Sequence, residues 1–145
     1  MNTTTLAQSY LLKATKRLKI LAVLLQESAY SDVVREAQEI VELALKGILR
    51  QVGVDPPKQH DVGYLLLEFK DRLPPEVGRK AAKLAQISKW LRKEREFAFY
   101  GDVDFIPTEE YTKEDALRAI KDASFTVQMA SVVIKPVHSP GEANK

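Results

Sequence analysis

The fifteen residues Ser88–Asp102 read SKWLRKEREFAFYGD and combine clustered charge, four aromatic side chains and a helix-stop signal. Gly101 marks the end of a helix, because glycine most readily adopts the left-handed conformation that terminates helices. Arg95 and Tyr100 are therefore predicted to lie near the end of that helix, close to the surface. Residues 79–95 hold seven Lys or Arg residues and one acid, a local excess of six positive charges in a chain whose net charge is +2. We expect any ligand-binding chemistry to be concentrated here.

Apolar residues on both sides of this segment recur at the three- and four-residue spacing of amphipathic helices. The stripes run from Leu6 to Leu25, from Val34 to Val52, from Val62 to Phe69 and from Ala116 to Ile134. The charged segment itself belongs to a helix predicted from Pro75 to Tyr100. No stretch alternates between apolar and polar residues as a strand would. The sequence therefore predicts an all-α fold, a four-helix up-and-down bundle with an additional short helix.

Capping and helix-breaking residues predict where these helices begin and end. Ser31 or Asp32 can cap the second long helix, and Gly53 ends it. Thr112, followed three residues later by Asp115, resembles a capping box at the start of the last helix.

A chain of 145 residues is long enough for one hydrophobic core. We predict a single helical domain over residues 1–136 and a flexible tail over residues 137–145. Pro136, Pro140 and Gly141 prevent the last helix from continuing into that tail.

The composition excludes several classes of site. The chain has no cysteine, so it forms no disulfide, thiolate metal site or cysteine nucleophile. His60 and His138 are its only histidines, and we predict neither a metal site nor any other cofactor. No apolar run approaches the roughly 18 residues of a membrane span, and the N-terminus lacks a signal-peptide pattern. We expect a cytoplasmic protein that does not associate with membranes.

The first helix is more apolar than a peripheral helix requires. Residues 20–25 read ILAVLL, so the second half of this helix is either central in the bundle or buried in a dimer. The aromatic residues of the fourth helix add further apolar surface. The sequence therefore predicts a homodimer.

Short motifs spread along the chain occur in a characteristic order. They are ELALKGIL at residues 42–49, then Gly53, His60-Asp61 before Leu65-Leu66, and Arg95 before Tyr100-Gly101-Asp102. Together they resemble the HEPN domain (higher eukaryotes and prokaryotes nucleotide-binding) over nearly the whole chain, from Leu6 to about Ile134. The resemblance implies a four-helix up-and-down bundle with an extra short helix, commonly assembled as a homodimer.

The function implied by this resemblance depends on one pair of residues. Many HEPN domains are metal-independent ribonucleases of toxin-antitoxin systems, in which an arginine is followed after four to six residues by a histidine. Others lack this pair and bind nucleotides or serve as partners of minimal nucleotidyltransferases. Arg95 matches the arginine, but Tyr100 occupies the histidine position. Because an ordinary tyrosine has a pKa of about 10, it is poorly matched to proton transfer near neutral pH.

We therefore interpret the chain as a HEPN-like module without an intact ribonuclease motif. It would bind a nucleotide, RNA or a partner protein through Arg92, Lys93, Arg95 and Tyr100. One alternative is a metal-independent endoribonuclease of the toxin type, in which Arg95 stabilises phosphate charge and Tyr100 and Asp102 support it. The other is a partner subunit of a minimal nucleotidyltransferase, with Tyr100 as the site of modification.

Four side chains near Arg95 also have structural interpretations. Trp90 and Phe97 are seven residues apart and would fill an interface between helices. Glu94 falls where the inward stripe requires an apolar residue, so it must be paired with another group, solvated, or placed against an arginine. Asp102 returns to the side of Arg95 if helical geometry persists through Tyr100, and would then accept a hydrogen bond from the guanidinium.

Overall fold

The computed structural model describes residues 5–56, 58 and 62–135, and for residues 95–97 the backbone alone. Throughout this part of the chain the secondary structure is helical, and Asp102 and Phe105 form an isolated antiparallel pair. The predicted all-α fold is therefore confirmed. The helices are α1 (Leu6–Gln26), α2 (Tyr30–Gln51), α3 (Val62–Glu68), a 3-10 turn (Lys70–Arg72), α4 (Pro75–Gly78), α5 (Ala81–Phe99), α6 (Pro107–Glu110) and α7 (Lys113–Val133).

Helix α2 lies at the centre of the molecule. The other long helices, α1, α5 and α7, all pack against it, and α3 packs against α5. Because α2 is covered on several sides, it buries large apolar residues around most of its circumference; fully buried examples are Val33, Ile40, Leu45 and Leu49. Helix α1 is peripheral, since Ile20 and Val23 remain 43% and 57% exposed. Of the two alternatives for its apolar second half, a central position in the bundle is thus wrong.

One contact and two chain connections show which helix ends lie together. The guanidinium of Arg35, in the first half of α2, lies 5.2 Å from the ring of Phe99 at the end of α5. Helix α1 joins α2 through three residues, and α5 reaches α7 through the loop of residues 100–112. The end of α1, the start of α2, the end of α5 and the start of α7 therefore share one end of the molecule, which we call the Phe99 end.

Several predicted boundaries are confirmed. Gly53 and Gly101 have φ values of +84° and +71°, the left-handed conformation expected at the ends of α2 and α5. Thr112 and Asp115 form the predicted capping box, in which each residue's side chain accepts a hydrogen bond from the other's backbone N–H, at 3.2 and 2.9 Å.

Two boundaries differ from the prediction. Helix α2 begins at Tyr30 with Ala29 as its cap, so Ser31 and Asp32 lie inside the first turn. The chain turns at Ser28, which takes a positive φ of 55°, and the helical conformation is already established at Tyr30. The helix predicted from Pro75 is divided into α4 and α5 by a turn that follows Gly78, a residue of low helix propensity.

Three sequence predictions lie outside the described residues. His60 and Asp61 precede α3, and the tail of residues 137–145 follows the last described residue, Lys135. The fully buried Ile134, which caps the end of α7, belongs to the core.

Candidate functional site

The basic residues of α5 do not form one surface. Leu84, Ile87 and Leu91 bury one side of the helix in the core. Lys83 faces α7, where its ammonium nitrogen lies 4.0 Å from the centre of the Phe125 ring. Nearer the Phe99 end, Arg92 is half-buried and Lys93 is exposed. The candidate binding residues are therefore restricted to the last turns of α5.

Trp90 fills the interface between α5 and α7. Its indole N–H donates to a carboxylate oxygen of Asp122 at 2.9 Å, and the Arg118 guanidinium lies 4.1 Å from its ring centre. Because both the ring face and the N–H have partners within the chain, Trp90 has the structural role considered for it. Its proposed companion Phe97 lies where only the backbone is described.

Glu94 is paired with a tyrosine. The hydroxyl of Tyr111 donates to the Glu94 carboxylate at 2.7 Å, and Tyr111 is only 8% exposed. Burial raises the pKa of Tyr111 well above its usual range, and the hydrogen bond to Glu94 raises it further. The Tyr111 ring also packs edge-on against Phe105, with ring centres 5.6 Å apart. These contacts hold the loop that follows α5 against the end of that helix.

This loop makes a tight turn directly after α5. The backbone N–H groups of Asp102 and Phe105 each donate to the other residue's carbonyl, at 2.9 and 3.0 Å. A carboxylate oxygen of Asp102 accepts from the N–H of Val103 at 2.6 Å. Since the helix ends at Phe99 and Gly101 turns the chain, the helical geometry assumed for an Asp102–Arg95 contact is not present.

Two aromatic rings are exposed at the end of α5. Phe99 is 50% and Tyr100 is 75% exposed, and their ring centres lie 4.7 Å apart in an edge-to-face arrangement. Arg35 of α2 covers part of Phe99 and forms an ion pair of 2.7 Å with Glu39. The site thus combines stacking surfaces, a phenol hydroxyl and cationic groups from two helices. Sequence reasoning missed Arg35, because its approach to Phe99 depends on how α2 and α5 pack.

An open cavity of about 300 Å³ lies along the second half of α2, lined by Glu39, Glu42, Leu43, Lys46 and Lys58. Its wall contains the Glu42–Lys46 pair of the ELALKGIL motif, with 3.4 Å between the charged atoms. The buried Gln38 amide donates to the same carboxylate of Glu42 at 2.8 Å. Glu39 lines this cavity and also pairs with Arg35, whose guanidinium lies over the Phe99 ring.

The structure thus places the predicted site residues at one end of the molecule. Arg92, Lys93 and the backbone of Arg95 belong to the last turns of α5, Tyr100 follows immediately, and Asp102 lies in the turn. Across the described ranges, no group of three or more acidic or histidine residues could hold a metal ion. None of the helices described is long and apolar enough to cross a membrane.

Comparison with known proteins identifies the family. The sequence model of the HEPN domain matches residues 7–132 of this chain. The chain belongs to the HEPN domain family. This HEPN domain is also similar to a Methanocaldococcus jannaschii protein described as "Putative toxin MJ1304", with 26% identity over 136 residues, covering 89% of this chain and 88% of that protein. The resemblance inferred from the order of the motifs is confirmed.

Proposed function

We propose that this HEPN domain binds RNA or a nucleotide at the end of α5, through Arg92, Lys93, Arg95 and Tyr100. The observation that carries the proposal is the pair of exposed rings, Phe99 and Tyr100, beside cationic side chains. Nucleic acid needs both features, because bases stack on aromatic rings while phosphates pair with Arg and Lys. Stacking of one base contributes about 1–3 kcal/mol.

Arg35 extends this site beyond α5. Its guanidinium already lies over one face of Phe99, so a base would use the remaining exposed part of that ring or Tyr100. A phosphate next to that base would find the planar donor groups of arginine from two helices. Single-stranded RNA or a free nucleotide presents such a base and phosphate together.

A second candidate is a toxin-type endoribonuclease that works without a metal. It is favoured by the name of the Methanocaldococcus relative, "Putative toxin MJ1304". In this candidate Arg95 stabilises the phosphate, and Tyr100 and Asp102 support it. The homodimer, the cytoplasmic location and the nucleotidyltransferase partner stay predictions.

Anisotropy of a fluorescent single-stranded RNA of about twelve nucleotides tests the binding proposal. We expect Arg95→Ala and Arg92→Ala each to weaken binding roughly tenfold and to reduce the salt dependence by about one phosphate contact. Arg95→Lys should restore part of the affinity, because lysine keeps the charge but not the planar fork. Melting temperatures check that each variant is folded.

Arg79→Ala is the matched control, because Arg79 is exposed and lies two residues before α5, beyond the end of that helix opposite to Phe99. It should bind the RNA as the wild type does. If Arg79→Ala and Arg95→Ala lost the same amount of RNA affinity, binding would depend on overall positive charge and not on this site. A wild type that binds neither RNA nor nucleotide would refute the proposal. Cleavage of the same RNA in EDTA, abolished by Arg95→Ala, would instead support the ribonuclease.

A further inference from the structure

An open cavity of about 400 Å³ lies between the 3-10 turn and α4. Helix α5 starts two residues after Arg79, and at about 1.5 Å per residue its 19 residues span about 28 Å. This cavity, the α4 cavity, is therefore remote from the Phe99 end and from the proposed RNA site. It is lined by Lys70, Asp71, Leu73, Pro75, Gly78 and Arg79.

Contacts with the core fix the walls of the α4 cavity. Leu73 and Val77 are buried, which anchors both turns. The backbone N–H of Leu73 donates to the carbonyl of Lys70 at 3.1 Å and closes the 3-10 turn. A Cβ at Gly78 would lie 3.3 Å from the same carbonyl oxygen, so the two turns approach closely where residue 78 has no side chain. The cavity is thus shaped before a ligand binds, which lowers the entropic cost of binding.

Three charged side chains line the α4 cavity without a partner. Lys70, Asp71 and Arg79 are exposed, and none of them forms an ion pair or a side-chain hydrogen bond with another residue in the described ranges. Arg72, by contrast, is engaged, because its guanidinium donates to the carbonyl of Val52 at 3.2 Å. The cavity therefore offers two cations and one carboxylate to a ligand.

These groups define the chemistry of that ligand. Two cations at one cavity match a dianion, and a phosphate monoester carries nearly two negative charges at pH 7 because its second pKa is about 6. Arginine supplies parallel N–H donors to two phosphate oxygens, and lysine adds a point charge. The carboxylate of Asp71 repels phosphate but accepts hydrogen bonds from hydroxyl groups. It therefore favours a ligand that carries hydroxyls beside its phosphate over phosphate alone.

The size of the cavity restricts the ligand further. Pockets for small molecules have volumes of about 300–1,000 Å³, and the α4 cavity lies at the lower end of this range. Leu73 and Pro75 provide an apolar surface for the carbon atoms of a small molecule. A ligand with the dimensions of a sugar phosphate fits this volume.

We propose that the α4 cavity binds a small phosphate monoester that carries hydroxyl groups. Arg79 and Lys70 contact the phosphate, and Asp71 accepts a hydrogen bond from a hydroxyl. This site is independent of the RNA site. A synthetic RNA with a 5′-hydroxyl end contains only phosphodiesters, each with one negative charge, and so lacks the dianion that the cavity selects.

NMR titration of the nitrogen-15-labelled protein with glycerol 3-phosphate tests the proposal, because the Gly78 amide reports from the cavity itself. We expect saturable shifts at residues 70–80 and none at the Phe99 end. Inorganic phosphate should bind severalfold more weakly, and glycerol should not bind. Asp71→Ala should bring the affinities for the two phosphates together, because it removes both the repulsion and the hydroxyl acceptor.

Arg79→Ala and Lys70→Ala should each weaken glycerol 3-phosphate binding roughly tenfold, since each removes a charge-assisted hydrogen bond. Lys16→Ala is the matched control, because it removes an exposed lysine from α1, which packs against α2 and α7. It should bind the ligand as the wild type does. Melting temperatures check that each variant is folded.

The proposal is wrong if glycerol 3-phosphate causes no saturable shift at residues 70–80 up to about 20 mM, or if Arg79→Ala binds it normally. Shifts of equal size at Lys93 and Phe99 would show diffuse attraction to positive charge and would also overturn it. Glutamate binding as tightly as glycerol 3-phosphate would make the cavity a carboxylate site and contradict the proposed ligand class. Failure to bind RNA would leave these titrations unchanged and would count against the proposed function alone.

Discussion

At the scale of single residues, the half-buried Glu94 accepts a hydrogen bond from the Tyr111 hydroxyl at 2.7 Å. Glu94 was expected to be paired, solvated or next to an arginine, because it interrupts an apolar stripe. The structure pairs it with Tyr111, which lies beyond a turn and a short helix. Helical periodicity identifies which position faces inward, but the partner depends on how the following loop folds back. Arg35 was missed for the same reason.

The Tyr111–Glu94 contact should make stability depend on pH in the alkaline range. Replacing Tyr111 by Phe should cost about 1–2 kcal/mol near neutral pH, because a half-buried carboxylate loses its donor. The raised pKa of Tyr111 means that unfolded chains release this proton above about pH 10 while folded chains retain it. The stabilisation is thus complete below the unfolded pKa and is lost as pH rises towards the folded one. Urea unfolding of both proteins between about pH 8 and 11 measures the difference in their free energies of unfolding, which should shrink as the pH rises.

Tyr64→Phe is the control, since Tyr64 is 64% exposed and the hydroxyl of an exposed tyrosine stays hydrated. Its stability should follow that of the wild type at every pH. A difference between wild type and Tyr111→Phe that stays constant across this range would show that the hydroxyl is not held as described.

At the scale of elements, local sequence signals predicted where most helices begin and end, while tertiary packing determines the surroundings of those ends. Gly53 and Gly101 were both predicted as helix ends, because a left-handed residue is a local requirement. Only the structure shows that the two glycines differ in the space around them. A Cβ at Gly101 would lie 2.4 Å from the Phe105 carbonyl oxygen and 2.5 Å from Pro107, whereas at Gly53 the nearest atom is an Arg72 nitrogen at 3.7 Å. The later part of the loop creates the crowding at Gly101.

The two glycines should therefore respond differently to alanine. Gly53→Ala should cost about 1–2 kcal/mol, the cost of a left-handed conformation in a residue with a Cβ. Gly101→Ala should cost more, because the backbone at Phe105 and Pro107 must also move. Equilibrium urea unfolding gives both values. Equal losses would mean that the loop can shift away from Gly101 without cost.

At the scale of the whole molecule, the sequence predicted the fold class but not the arrangement. Each amphipathic stripe is a local pattern, so the order of the helices and the all-α fold could be predicted. Which helix is central is decided by how several stripes pack together. The apolar run in α1 allowed either a central helix or a dimer interface; the structure places α2 at the centre and leaves α1 with an outward apolar face. The charged and aromatic residues before Gly101 located the candidate site at the end of α5. The part that α2 adds, Arg35, could be found only from the packed bundle.

The end of the domain gives the last prediction. Ile134 is fully buried against α2, where its Cδ1 atom would lie 3.0 Å from a Cβ at Gly47, and the carbonyl of Lys135 accepts from the Gln8 side chain at 3.0 Å. The core therefore extends to this point. Ile134→Ala should destabilise the protein by about 2–5 kcal/mol, and Ile134→Val by about 0.5–1.5 kcal/mol. Removal of residues 138–145 should leave the melting midpoint unchanged, because none of the residues that follow Val137 has a large apolar side chain. A fall of several degrees after that truncation would show that the tail packs against the domain and that its boundary lies beyond residue 136.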